Sequence, residues 1–242
     1  MATASYMTLT EHLEDLRWCL FKSLAAIFLA SGVCYAFSDV IFQIMVAPLR
    51  QNLRPDQSLI GTGVTEAFFV EIKVALAAGV FFSCPVIFYQ IWRFISPGLS
   101  GREKRLVLPF VLCATLFFLG GVLFCYWIVL PVAFLYFIEQ YGTIGVTPAI
   151  RIGEYFTFFF RMILAFGVTF ELPVFTFFFV RLGIWNYRQM LTSFRYAIVG
   201  IFIAAAILTP TPDIINQSLL AGPMLLLYLV SIGVAYVWRR RD

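Results

Sequence analysis

Six long apolar runs, joined by short polar connectors, leave this chain few ways to fold. Crossing a bilayer as a helix takes about 20 mainly apolar residues, and the runs fall at roughly Trp18–Val46, Ala67–Trp92, Leu106–Ile138, Tyr155–Leu182, Tyr196–Leu208 and Ile215–Trp238. Together they use almost the whole of the 242 residues, so the expected organisation is a single polytopic membrane domain over residues 1–242. The composition agrees: 62% hydrophobic and 12% charged residues, against roughly 45–50% and 25% in soluble domains. Continuous apolar runs exclude a membrane β-barrel, whose strands read as short segments of alternating polarity. The predicted fold is all-α, with six transmembrane helices forming a concave, proline-kinked bundle.

Orientation follows from lysine and arginine, which concentrate in cytoplasmic loops. With both termini inside, the inner face receives Arg17, Lys22, Arg93, Arg102, Lys104, Arg105, Arg181, Arg188, Arg195 and Arg239 to Arg241, against Arg50, Arg54 and Arg151 outside. The net charge of +4 is thereby explained by the membrane and needs no nucleic acid. The start of the chain carries Glu11, Glu14 and Asp15 instead of a basic stretch, and no small-residue cleavage site follows the first apolar run. The first span is therefore expected to be retained. The lack of a transit peptide points to a prokaryotic plasma membrane.

Chemistry-bearing motifs are sparse. The five cysteines are scattered without a C-x-x-C pair, and His12 is the one histidine, so neither a metal nor another cofactor is expected. None of the common nucleotide or hydrolase signatures occurs, which argues against an enzyme. A solute transporter stays open as an alternative, with Glu171, Arg161 and the prolines lining a path, but no inverted repeat supports it.

The informative polar residues are few. Glu171 lies deep in the fourth span, where a carboxyl is costly enough to suggest a functional contact; simple packing is the alternative. Arg161, about 15 Å away along the helix, is too far to pair with it. Thr65 and Glu66 can cap the second span. Pro48, Pro85, Pro109, Pro131 and Pro173 each free a backbone carbonyl that something else must satisfy. Spans 5 and 6 are expected to be short: Tyr196–Leu208 reaches only about 20 Å, which predicts local thinning of the bilayer, and Asp213 can cap the helix after the outer turn. On the inner side, "LTEHLEDLRWCL" is amphipathic and is expected to lie at the interface, presenting carboxylates to the cytoplasm. Glu103 emerges on the same side among Arg102, Lys104 and Arg105.

Taken in order, "HLEDLR" at 12–17, "APL" at 47–49, "TEAFF" at 65–69, "CPVIFYQIWRFISPGL" at 84–99, "EKRLVLPF" at 103–110, "AFGVTFELPV" at 165–174 and "TPTPDIINQ" at 209–217 resemble the successive signature blocks of the TatC family. That family provides the six-span receptor subunit of the twin-arginine protein translocase. The resemblance implies a protein of the cell (inner) membrane that binds the twin-arginine signal peptide of folded precursors. With the single-span subunits TatA and TatB, and with further copies of itself, it would drive their export by the proton-motive force. By position it makes Asp15 and Glu103 the acidic recognition residues, with Arg17, Phe94 and Arg105 in the same site. The family commonly has Glu where this chain has Asp15, so Glu14 is a possible assistant. Glu171 becomes an intramembrane polar contact for a signal peptide or partner subunit. Pro48, Pro85 and Asp213 become structural positions, and Thr211 splits two prolines that are often adjacent in the family.

Overall fold

A computed structural model describes residues 9–54, 57–95, 107–181, 183–208 and 214–238. The described residues are helical almost throughout, in the order α1 (Leu9–Tyr35), α2 (Ser38–Arg50), α3 (Glu66–Ile95), α4 (Val107–Phe124), α5 (Leu130–Thr143), α6 (Ile152–Phe170), α7 (Leu172–Arg181), α8 (Tyr187–Thr192), α9 (Phe194–Leu208) and α10 (Ile214–Val237). The stretches Thr10–Tyr35, Glu66–Phe94, Val107–Thr143, Ile152–Val180 and Leu220–Val237 are long and apolar enough to cross a membrane, and the shorter Phe194–Leu208 adds a sixth apolar helix.

The first span is continuous with the acidic segment before it and breaks before its expected end. No glycine or proline interrupts the chain from Leu9 to Ser31, so the acidic segment forms the first turns of α1 itself. At the other end the helix breaks after Tyr35, and α2 begins at Ser38 with Asp39 in its first turn and Arg50 in its last. Both charges suit the helix dipole.

The third span is one apolar stretch with a wider turn inside it. Residues Cys125–Val129 form a π-helical turn, and the Leu130 N–H donates to the Cys125 carbonyl. This turn sits just before Pro131, which has no N–H to give and whose ring crowds the preceding turn. The fourth span is divided in two: α6 ends at Phe170, Glu171 forms the joint, and α7 starts at Leu172 with Pro173 in its first turn. The short α8 was not anticipated. It is opened by a reciprocal cap in which the Asn186 side chain accepts from the Arg188 N–H (3.3 Å) and Gln189 Oε1 accepts from the Asn186 N–H (3.1 Å). Helix α9, with 15 residues, is short as expected, whereas α10, with 24, is not: it contains a stretch long and apolar enough to cross a membrane, because its apolar run continues through Pro223 to Val237 without a break.

The chain divides into two units, one of Met1–Phe42 with Glu71–Thr115, the other of Gln43–Val70 with Leu116–Asp242. In the first, α1 crosses α3 through small residues. Cys34, Ala75 and Ala78 form a buried cluster against Ile41, and a Cβ placed on Gly79 would lie 2.7 Å from the Ser31 backbone nitrogen. Only glycine permits that approach, and close backbone contact of this kind holds helices together where lipid removes the usual hydrophobic drive. Trp92 of α3 packs on Phe110 of α4 with ring centroids 4.5 Å apart. In the second unit, the core is aromatic: Phe156, Phe159, Met162 and Phe166 of α6 are fully buried together with Leu130. There α7 lies along α10, and the C-terminal half of α4 meets α6 at Gly121, where a Cβ would stand 2.6 Å from the Phe166 carbonyl oxygen.

Candidate functional site

Helix α1 spans about 40 Å and α3 about 45 Å at 1.5 Å per residue, against a hydrocarbon core of about 30 Å. Each helix is therefore longer than the apolar layer is thick. In the first unit the start of α1 meets the end of α3. The imidazole of His12 stacks on the ring of Phe94, centroids 4.3 Å apart and planes inclined by 20°. Asp15 follows three residues after His12, on the same face of α1. The meeting of the two helix ends thus brings two of the sequence-predicted residues, Asp15 and Phe94, to one rim.

Asp15 is half-buried, and Glu14 and Arg17 are exposed. Among the described residues Asp15 makes no ion pair with Arg17, so its carboxylate is not consumed locally. Glu103 and Arg105 lie outside the described residues, as does Asp213. Five residues before the end of α3 the buried Gln90 leaves its side-chain carbonyl without a hydrogen-bond partner.

Glu171 sits in the second unit, 2% exposed, at the joint between α6 and α7. Neither carboxyl oxygen has a hydrogen-bond partner; the backbone of Phe118 approaches it without reaching bonding geometry. The Glu171 carbonyl serves the chain, accepting from the Phe175 N–H at 2.9 Å. Thr169 turns its hydroxyl back onto the Ala165 carbonyl.

Pro48 lies inside α2, so the Ile44 carbonyl four residues earlier loses its helical donor. The Tyr126 hydroxyl supplies the missing bond, donating to that carbonyl at 2.6 Å. Alongside, Tyr155 donates to the Met45 carbonyl, and Asn52 donates to the carbonyls of Pro48 (3.1 Å) and Pro131 (3.2 Å). Pro85 lies inside α3, in a stretch where the hydroxyl of Ser83 and the thiol of Cys84 bond the carbonyls of Gly79 and Val80.

Glu66 does more than the helix cap expected of it. One carboxylate oxygen accepts from the N–H groups of Thr62 (2.7 Å) and Gly63 (3.1 Å) and from the Thr62 hydroxyl. The other accepts from the Gly153 N–H at 2.9 Å, 87 residues away. With the bridge between Ile60 and Arg151, this fastens the segment before α3 to the start of α6. Among the described residues, no three histidine, cysteine or acidic side chains converge as a metal site would require.

Sequence reasoning missed the roles of two of these residues and one long-range bond. His12 drew notice only as a lone imidazole, although it stands inside the "HLEDLR" block. Tyr126 and the long-range bond of Glu66 depend on partners dozens of residues away, which no local pattern reveals.

The chain matches the family described as Sec-independent protein translocase protein (TatC) over residues 11–223. It is 41% identical over 234 residues to the Sec-independent protein translocase protein TatC of Koribacter versatilis, covering 96% of this chain and 86% of that one. It is 42% identical over 225 residues to the protein of the same name from Campylobacter jejuni, covering 93% and 91%. Among solved structures, the crystal structure of the twin-arginine translocase receptor TatC superposes with a TM-score of 0.83 at 37% identity, over 94% of this chain and 99% of that one. The helix order, the polar rim residues and these likenesses lead to one conclusion: the chain belongs to the TatC family, and is a six-helix, multi-pass membrane component of the Sec-independent, twin-arginine protein translocase.

Proposed function

We propose that this chain reads the paired arginines of a signal peptide at its cytoplasmic rim, with Asp15 and Glu103 as the two carboxylate receptors. A guanidinium takes a carboxylate through two parallel hydrogen bonds, and two adjacent arginines engage two separated carboxylates in a way that a single surface acid does not match. Phe94, Arg17 and Arg105 complete the site, and Glu14 assists the shorter Asp15. The observation that carries this reading is the meeting of the α1 and α3 ends at His12 and Phe94, one helical turn from an Asp15 unpaired among the described residues. The lysine and arginine distribution supports placing both termini in the cytoplasm and the protein in the cell (inner) membrane.

In this reading the chain works with single-span TatA- and TatB-type subunits and with further copies of itself, and the proton-motive force drives export of the folded cargo. Glu171 offers the intramembrane polar contact, and its unpartnered oxygens support the assignment. With 2% exposure, it reaches a partner only by swinging out of the protein interior. Pro48, Pro85 and Asp213 shape the helices. A photo-crosslinking residue introduced at Phe94, in membranes carrying the full translocase, tests the site. Capture of a paired-arginine precursor, abolished by an excess of the free signal peptide, is the expected result; a precursor captured equally well with its arginines replaced by alanine contradicts the proposal.

A further inference from the structure

We infer that His12 is a positioning residue of the signal-peptide site: its ring, stacked on Phe94, fixes the angle between α1 and α3 and thereby the place of Asp15. The inference rests on the receptor reading given above and deepens it.

The argument is one of leverage. The α1–α3 crossing tightened by Ser31 and Gly79 lies 16 residues, or about 24 Å of helix, from Asp15. At that radius a change of about 5° in the crossing angle displaces Asp15 by roughly 2 Å, and bidentate recognition tolerates about 0.5 Å. A contact close to the acid is needed to hold that angle, and the His12–Phe94 stack, at 4.3 Å and 20°, lies within one turn of it. Offset aromatic stacking is directional as well as attractive, so it sets orientation where aliphatic packing would let α1 slide. A metal-binding role for His12 finds no support: among the described residues no metal-ligating cluster exists.

The test uses the full-length chain in lipid nanodiscs and a labelled paired-arginine signal peptide, with its paired-lysine counterpart as reference. The variants are His12→Ala, His12→Phe, Phe94→Ala and the double variant His12→Ala with Phe94→Ala. Each is first checked for a native thermal midpoint. His12→Ala is expected to weaken arginine-peptide binding about 2- to 10-fold, the range of one aromatic pair, and to shrink the arginine-over-lysine preference. His12→Phe is expected to stay within about 2-fold of the native chain, and the double variant to bind no worse than Phe94→Ala alone. Native preference in His12→Ala overturns the inference while leaving the receptor reading intact. A His12→Phe variant as weak as His12→Ala also overturns it, because the stack would then not be the operative property. Absence of any arginine preference in the native chain strikes the receptor reading itself, and the inference with it. If His12→Ala does not fold, His12→Phe and Phe94→Ala carry the test alone.

Discussion

Gly120 and Gly121 are neighbours in α4, yet alanine at the two positions should act in opposite directions. A Cβ on Gly121 would stand 2.6 Å from the Phe166 carbonyl oxygen and 2.8 Å from Phe170 Cβ. A carbon–oxygen contact settles at about 3.3 Å or more, so α4 and α6 must part by roughly 0.7 Å. The obstacle is backbone and cannot rotate away. Overpacking of this kind costs about 1–3 kcal/mol, which in a chain of this size lowers the thermal midpoint by roughly 2–12 °C. A Cβ on Gly120 meets nothing within 4 Å, and there alanine removes the entropic penalty of a helical glycine, a gain of up to about 1 kcal/mol. The assay is thermal unfolding of Gly120→Ala and Gly121→Ala in one detergent, followed by size-exclusion after heating. A Gly121→Ala midpoint at or above that of Gly120→Ala would refute the close crossing of α4 and α6 next to Glu171.

Other outcomes follow from the same geometry. Removing the Tyr126 hydroxyl (Tyr126→Phe) leaves the Ile44 carbonyl without its donor and should cost about 1 kcal/mol; in a Pro48→Ala background the restored helical N–H should make that loss smaller, and an unchanged loss contradicts the pairing. Glu66→Ala should speed amide exchange at Thr62, Gly63 and Gly153 together, and Glu66→Gln should restore protection only in part, since an amide offers one acceptor oxygen where the carboxylate offers two; exchange that rises at Thr62 and Gly63 alone would mean the bond to Gly153 is not made. Spin labels along α9, 15 residues or about 22 Å long, should report interfacial depth at both ends, and burial of both ends at full membrane thickness rules out local thinning. Glu171→Gln should preserve complex assembly better than Glu171→Ala if the side chain makes a polar contact; indistinguishable assembly returns the residue to packing.

Much of this architecture is legible in the sequence because bilayer physics is coarse. A span needs length and apolarity, and both can be counted residue by residue, which is why α3, α9 and α10 fall within a few residues of expectation. Breaks inside apolar runs are harder. Ser38 and Asp39 could have marked a new helix start inside the first run, but the surrounding hydrophobicity masks them. Asn186 and Gln189 carry a capping signature that is visible once α8 is known to exist. The π-helical turn before Pro131 has no sequence mark beyond the proline itself, because that strain can be relieved in several ways. Asp15 and Glu103 were legible through the resemblance of their motifs, residue by residue. The His12–Phe94 stack one turn from Asp15 joins positions 12 and 94, and a contact across 82 residues is a property of the fold, with no local periodicity to announce it. Glu66 illustrates the same limit: its local cap follows from spacing, and its bond to Gly153 does not.

The central claim is that the rim reads guanidinium geometry with carboxylates. Its most direct test is equilibrium binding of a paired-arginine signal peptide and its paired-lysine counterpart to the purified chain and to its Asp15→Asn and Glu103→Ala variants, at low and physiological salt. Simple charge attraction treats the two peptides alike and fades with salt, whereas bidentate recognition discriminates between them. The account predicts an arginine preference in the native chain that persists at physiological salt and collapses in each variant. Equal affinity of the native chain for both peptides, or a preference unaffected by either substitution, would contradict it.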